Sequence, residues 1–154
     1  MPMHRVSSHV EASLETVWAV LLDKMEHPQR YIEDALDVEV LERDDMGVVR
    51  QLVLPGGIAF RERIAADPGA HTVTFTLLDH PVYEGTVLNR LQTSLEGGVE
   101  LAFELDWKAR PGSVEERDPE EALALIRSSV MQTKRIAEAL ETGALEATPG
   151  PPPA

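Results

Sequence analysis

Arg50 and Glu62 are the two residues in this sequence whose types and spacing most invite chemistry. Between them Pro55-Gly56-Gly57 supplies a three-residue hairpin loop joining two runs of alternating apolar side chains. Closing that loop sets Leu54 against Ile58, Leu52 against Phe60, Arg50 against Glu62 and Val48 against Ile64. All eight then share one face, apolar except for the charged pair. The opposite face takes Val49, Gln51, Arg61 and Arg63, a composition suited to water. Holding an ion pair on an apolar inner face costs desolvation that two leucines would not. A guanidinium so placed can fork onto a carboxylate or orient a polar ligand group. It can equally be satisfied by its own glutamate, and a register slip of one residue would send both side chains to solvent.

Three further side chains join the pair. In the run 83–95 the odd positions Tyr83, Val87, Leu91 and Leu95 are the more apolar set, so Asn89 falls inward among them with an amide that both donates and accepts. In 99–109, Val99, Leu101, Phe103, Leu105 and Trp107 alternate with Glu100, Glu104, Asp106 and Lys108. That alternation sets Trp107 on the inner side near one end of the sheet, as core or as an aromatic wall. The candidate ligand-facing set is therefore Arg50, Glu62, Tyr83, Asn89 and Trp107. Trp18 reads as plain core. His80, in the turn Asp79-His80-Pro81, stands where loops border a site, although a surface turn accounts for it as well. Met131 and Lys134 occupy positions from which a helical side chain can reach an interior or simply pack and solvate. The histidines His4, His9, His27, His71 and His80 have neither a helix-paired spacing nor an HExxH pattern, so no metal site is expected. No GxSxG, Walker or dinucleotide-binding motif is present, and no cofactor is expected.

The elements that must position these residues follow from periodicity. A strand over 4–11 is expected first, then a helix from the cap Ser13 to about Lys24 with Leu14, Val17, Trp18, Leu21 and Leu22 buried. His27-Pro28 ends it, and 29–32 fits a short second helix. Six strands follow, over 36–43, 48–54, 58–66, 72–78, 83–95 and 99–109, separated by short turn sequences that favour an antiparallel meander. The clearest helix closes the chain: Asp118 caps it, Pro119 opens it, Glu121 completes a capping box and Gly143 ends it. Its apolar stripe is Ala122, Leu123, Ile126, Val130, Thr133, Ala137 and Leu140. The order of elements is α+β: seven antiparallel strands in a curved sheet wrapping a long C-terminal helix, with two short helices between strands one and two.

A chain of 154 residues suits one domain, here 3–142, followed by a flexible Pro-rich tail over 143–154. A formal net charge of −13 with no basic run opposes nucleic-acid and membrane-surface roles. The sequence holds no cysteine, which removes disulfides and thiolate chemistry. With no apolar leader sequence, these features fit a cytoplasmic protein, either monomer or homodimer.

Val17-Trp18 with Leu21 and Lys24-Met25-Glu26-His27-Pro28, then Glu62, Asn89 and the run Leu101-Ala102-Phe103-Glu104-Leu105-Asp106-Trp107, resemble the AtaL-like branch of the START-like (SRPBCC, Bet v 1-like) superfamily. The likeness covers residue 3 to about 140 and implies the helix-grip fold. It also implies an internal hollow between sheet and closing helix for a small hydrophobic or aromatic, polyketide-like molecule. Two alternatives stay open. One is a cyclase/aromatase-like enzyme with Glu62 as base and Arg50 or Tyr83 stabilising an enolate. The other is a ligand-free interaction module, against which the polar outer residues Gln51, Arg61, Thr72, Thr74 and Thr76 argue.

Overall fold

A computed structural model describes residues 4–27, 37–54, 58–81, 83–112 and 119–143. The described elements run β1 (His4–Val10), α1 (Leu14–Glu26), β2 (Asp37–Arg43), β3 (Gly47–Leu54), β4 (Ile58–Asp67), β5 (Thr72–Leu77), β6 (Tyr83–Thr93), β7 (Val99–Ala109) and α2 (Pro119–Glu141). The strands form a 7-stranded sheet in the order β1-β7-β6-β5-β4-β3-β2, and every neighbouring pair is antiparallel. Strands two to seven therefore make the expected meander, and β1 returns to pair with β7. One helix, α1, is seen between β1 and β2; the expected second helix over 29–32 lies outside the described residues, as do the cap Asp118 and the tail 144–154.

The inner face of the sheet can be followed across the ladders. Val6, Phe103, Asn89 and Val73 lie in one row, and Leu105, Val87, Phe75, Ile64 and Val48 in the next. Both helices bury their apolar stripes on this face: Val17, Val20, Leu21 and Met25 from α1, and Val130 and Ala137 from α2, join the core built on those rows. The long helix packs on β1, α1 and β7. A smaller apolar cluster, Leu52, Phe60 and Leu77 with Val38, Tyr83 and Trp107 packed against it, occupies another part of the inner face. No described helix is long and apolar enough to cross a membrane.

Capping holds the corner between β1 and the helices. The Ser13 hydroxyl accepts from the Thr16 N–H at 3.1 Å, as an N-cap should, and Glu141 Oε1 accepts from the Ser13 N–H at 3.0 Å. Glu138 Oε2 accepts from the Glu11 N–H at 2.9 Å, so two carboxylates from the last turns of α2 sit beside the positive end of α1.

Several expectations need correction. The fully buried face of α1 is Val17, Val20, Leu21, Lys24 and Met25, rotated from the expected one, while Leu14, Trp18 and Leu22 are only partly buried. β6 stops at Thr93 and Leu95 is fully exposed, because the turn through Gly97 and Gly98, both with positive φ, starts earlier than the alternation implied. On α2 no correction is needed: of the two alternatives, packing and solvation hold, since Met131 is exposed one step off the stripe and Lys134 pairs with Glu138. Val49, expected outward to water, is buried.

Candidate functional site

The β3–β4 ladder pairs Arg50 with Glu62, Leu52 with Phe60 and Val48 with Ile64, which is the register the three-residue loop dictates. Both charged side chains are inside: Arg50 is 1% exposed and Glu62 7%. Arg50 Nε donates to Glu62 Oε1 at 2.8 Å and Nη2 lies 2.6 Å from the same oxygen. Its Nη1 donates to the carbonyls of Lys24 and Met25 at 2.9 and 3.2 Å. The last carbonyls of a helix have no partner within it, and their end of the dipole favours a cation. Arg50 thus fastens the C-terminal end of α1 to the sheet while Glu62 balances its charge.

Directly beside this pair stands a residue that the charge pattern alone would assign to solvent. Lys24 is 4% exposed, because it continues the stripe Val17, Val20, Leu21 at helical spacing and so points at the sheet. The signal was there in the period of the sequence; the charge of the side chain masked it. Its ammonium lies 4.0 Å from the ring centre of Phe103 and 5.1 Å from that of Phe75, and the Arg50 guanidinium approaches Phe75 at 5.5 Å. Two cations therefore share the Phe75 ring with one carboxylate between strands. Lys24 Nζ donates to Asn89 Oδ1 at 3.3 Å, the only hydrogen bond that ammonium makes among the described residues. Burial first, and the Arg50 charge second, push the Lys24 amine down to about 7, with Glu62 opposing.

Asn89 is 0% exposed, inward as its strand position implied. The ammonium selects the amide oxygen, which leaves the Nδ2 group buried with no hydrogen-bond partner among the described residues. A buried amide N–H without an acceptor costs about 1–3 kcal/mol, so this arrangement is not one that packing alone would select.

A second group lies in the smaller cluster. Tyr83 and Trp107 stack with centroids 5.5 Å apart, and His80 meets Phe60 at 4.8 Å, Tyr83 at 5.5 Å and Trp107 at 6.1 Å. His80 is 5% exposed, so the surface-turn alternative is corrected: aromatic neighbours cover it. Its Nδ1 accepts from the Tyr83 N–H at 3.1 Å, and its carbonyl accepts from Arg110 Nη1 at 2.9 Å, which pins the β5–β6 turn against the end of β7. Trp107 pairs across the ladder with Gly85, whose φ of 131° suits glycine and where a Cβ would come 2.0 Å from the Asp106 carbonyl oxygen. A bare glycine beside Trp107 leaves the indole without a cross-strand side chain. Trp107 Nε1 is the other buried donor without a partner among the described residues.

The five residues singled out from sequence fall into two places. Arg50, Glu62 and Asn89 lie at the centre of the inner face, tied together through Lys24. Tyr83 and Trp107 lie in the aromatic cluster, to which Leu77, the ladder partner of Glu62, also belongs.

The family model described as acetylaranotin biosynthesis cluster protein L, AtaL, matches residues 3–142. No match was found among curated proteins. Among solved structures, the Zhui aromatase/cyclase from Streptomyces sp. R1128 superposes with a TM-score of 0.69 at 18% identity, covering 90% of this chain and 94% of that one. TTHA0849 from Thermus thermophilus superposes with a TM-score of 0.70 at 15% identity, covering 93% and 99%. At these identities the two structures speak for the shared fold. With the family model spanning nearly the whole chain, this protein belongs to the AtaL family, and it has the α+β helix-grip fold.

Proposed function

We propose that the chain binds a small, largely apolar molecule on the inner face of its sheet, with oxygen acceptors that meet the N–H groups of Asn89 and Trp107. The observation that carries this reading is the pair of buried donors, Asn89 Nδ2 and Trp107 Nε1, each without a partner among the described residues, on a largely apolar face. The described residues leave no buried side-chain acceptor in the same condition. The missing complement is therefore an acceptor. Trp107 is four residues along β7 from Phe103, the ladder partner of Asn89, a separation of about 13 Å. Leu105, Val87 and Gly85 floor the interval. A ligand with an apolar or aromatic body and oxygen at both ends suits that span, with Tyr83 as a wall and the Arg50–Glu62 pair as the frame that holds α1 in place.

Native mass spectrometry on protein purified from its own source tests this. A retained small molecule, lost in Asn89→Leu and in Trp107→Phe, supports it. Protein that carries nothing, and whose Trp107 fluorescence ignores a series of naphthols and hydroxyquinones, overturns it.

Catalysis is the second reading. The Zhui neighbour is an aromatase/cyclase, and an amine titrating at about 7 in a buried site meets the requirement for a base near operating pH. Turnover of an aromatic polyketide mimic, lost in Lys24→Met and kept in Arg61→Ala, would put catalysis ahead of binding.

A further inference from the structure

The structure assigns to Lys24 a covalent role: we propose that its amine condenses reversibly with the carbonyl carbon of a small apolar ketone, and best of a 1,3-diketone. The inference deepens the binding reading above and rests on it, since the same inner face must admit the ligand.

Three observations converge on Lys24. Its ammonium is enclosed, lying over Phe103 and near Phe75, with one hydrogen bond among the described residues, to Asn89 Oδ1 at 3.3 Å. The charges packed against it are Arg50 from β3 and Glu62 from β4, and those two are already joined to each other. An amine that is desolvated and set beside a fixed cation gives up its proton easily and becomes a nucleophile. Next to it, Asn89 holds a buried N–H donor with no acceptor among the described residues, on the same amide that fixes the amine. A carbonyl compound approaching Lys24 would bring an oxygen to that donor. The neighbouring Phe75 and Phe103 rings favour an apolar body and disfavour a sugar or a charged keto acid.

The step balances without a co-reactant. The neutral amine forms a C–N bond to the carbonyl carbon as the C=O π bond breaks, and the proton released by nitrogen goes to oxygen to give a carbinolamine. Loss of that oxygen as water leaves the imine. With a 1,3-diketone the imine shifts to the conjugated enaminone, whose remaining carbonyl oxygen can accept from the Asn89 amide. No bond of the substrate is oxidised or reduced.

The sequence holds three lysines, Lys24, Lys108 and Lys134, so the molecule carries its own controls. Lys108 pairs with Glu84 and Lys134 with Glu138, each with part of its side chain in solvent. At pH 7 about half of an amine titrating near 7 is neutral, against roughly one part in a thousand or less for an ordinary lysine. Incubation of the intact protein with acetylacetone at pH 7 should raise the mass by the diketone less one water. It should also produce the near-ultraviolet band of an enaminone, with the adduct mapped to Lys24 at least roughly tenfold ahead of Lys108 and Lys134. Lys24→Arg should remove the band. Adduct spread evenly over the three lysines, or confined to Lys108, Lys134 and the terminal amine, overturns the assignment. A hydroxylated aromatic without a ketone, followed by Trp107 quenching, separates the two levels. If it binds while acetylacetone leaves Lys24 unmodified, the covalent role falls and the binding reading stands. If neither binds, both fall.

Discussion

Two pairs of polar side chains lie side by side in the core, and they are built differently. Arg50 and Glu62 form a closed pair: the charges cancel, the guanidinium is held by Glu62 Oε1 and by two carbonyls of α1, and the side chains join strand to strand and strand to helix. Lys24 and Asn89 form an open pair. Among the described residues a cation faces a neutral amide, the amide keeps a donor without an acceptor, and no carboxylate of their own balances the charge. Closed pairs in a core are what a fold needs to fix a helix on a sheet. Open ones are disfavoured by several kcal/mol in aggregate unless something else completes them. The difference separates the residues that shape the site from those that act in it, and it moves the chemical interest from the pair at the hairpin to the pair beside it.

Breaking the closed pair should have the largest effect. Glu62→Gln leaves a buried guanidinium with no counter-charge, and a loss of about 3–5 kcal/mol in urea unfolding is expected. Replacing both residues, as Arg50→Leu with Glu62→Leu, should recover much of that loss, because no lone charge remains, although α1 forfeits the cation at its C-terminal end. A double variant as unstable as the single one would mean that fastening α1, and not charge balance, dominates.

The open pair should make stability respond to pH. The folded Lys24 titrates at about 7, below the 10.5 of the unfolded chain. Between those values the unfolded chain holds a proton that the folded chain has released, so Lys24 makes stability rise with pH across that window. The contribution is flat below about 7, where the full penalty of burying the ammonium applies, and vanishes above 10.5. From pH 7 to 9 the gain is about 2–3 kcal/mol. Lys24→Met should abolish that slope in denaturant midpoints taken at pH 6, 7, 8 and 9. Parallel curves for the two proteins would show that the amine is solvated in the folded state.

The same contrast explains what was legible in the sequence. The closed pair could be read because a three-residue loop fixes the register, and from the register follow the partner and the face. Asn89 and Trp107 were legible for a similar reason, since alternation along a strand fixes which way a side chain points. Lys24 was hidden because a wheel drawn by residue type sends a lysine outward, whereas the stripe Val17, Val20, Leu21, Lys24 is decided by which turns of α1 meet the sheet. His80 was hidden because nothing local in Asp79-His80-Pro81 announces that Phe60, Tyr83 and Trp107, brought in by three other strands, will enclose the ring. Periodicity reports direction; it does not report what arrives from elsewhere in the chain to complete the surroundings.

The contrast sharpens most with the substitution that should disturb stability least. Asn89→Asp replaces the open amide by a carboxylate at the position that now receives the Lys24 ammonium at 3.3 Å. The pair would then be closed like its neighbour, with a like number of cations and carboxylates in the core. Desolvating a new carboxylate offsets most of the attraction it gains, so the net change should stay within about 1 kcal/mol at pH 7. The titration, by contrast, should move plainly. A carboxylate beside the amine favours its charged form, so the pH window in which stability rises should shift upward from 7, and the reactivity of Lys24 toward acetylacetone at pH 7 should fall by roughly fivefold or more. Should labelling persist unchanged in Asn89→Asp, the reactivity of Lys24 would be set by desolvation and Arg50 alone, and the unpaired amide would have no part in it.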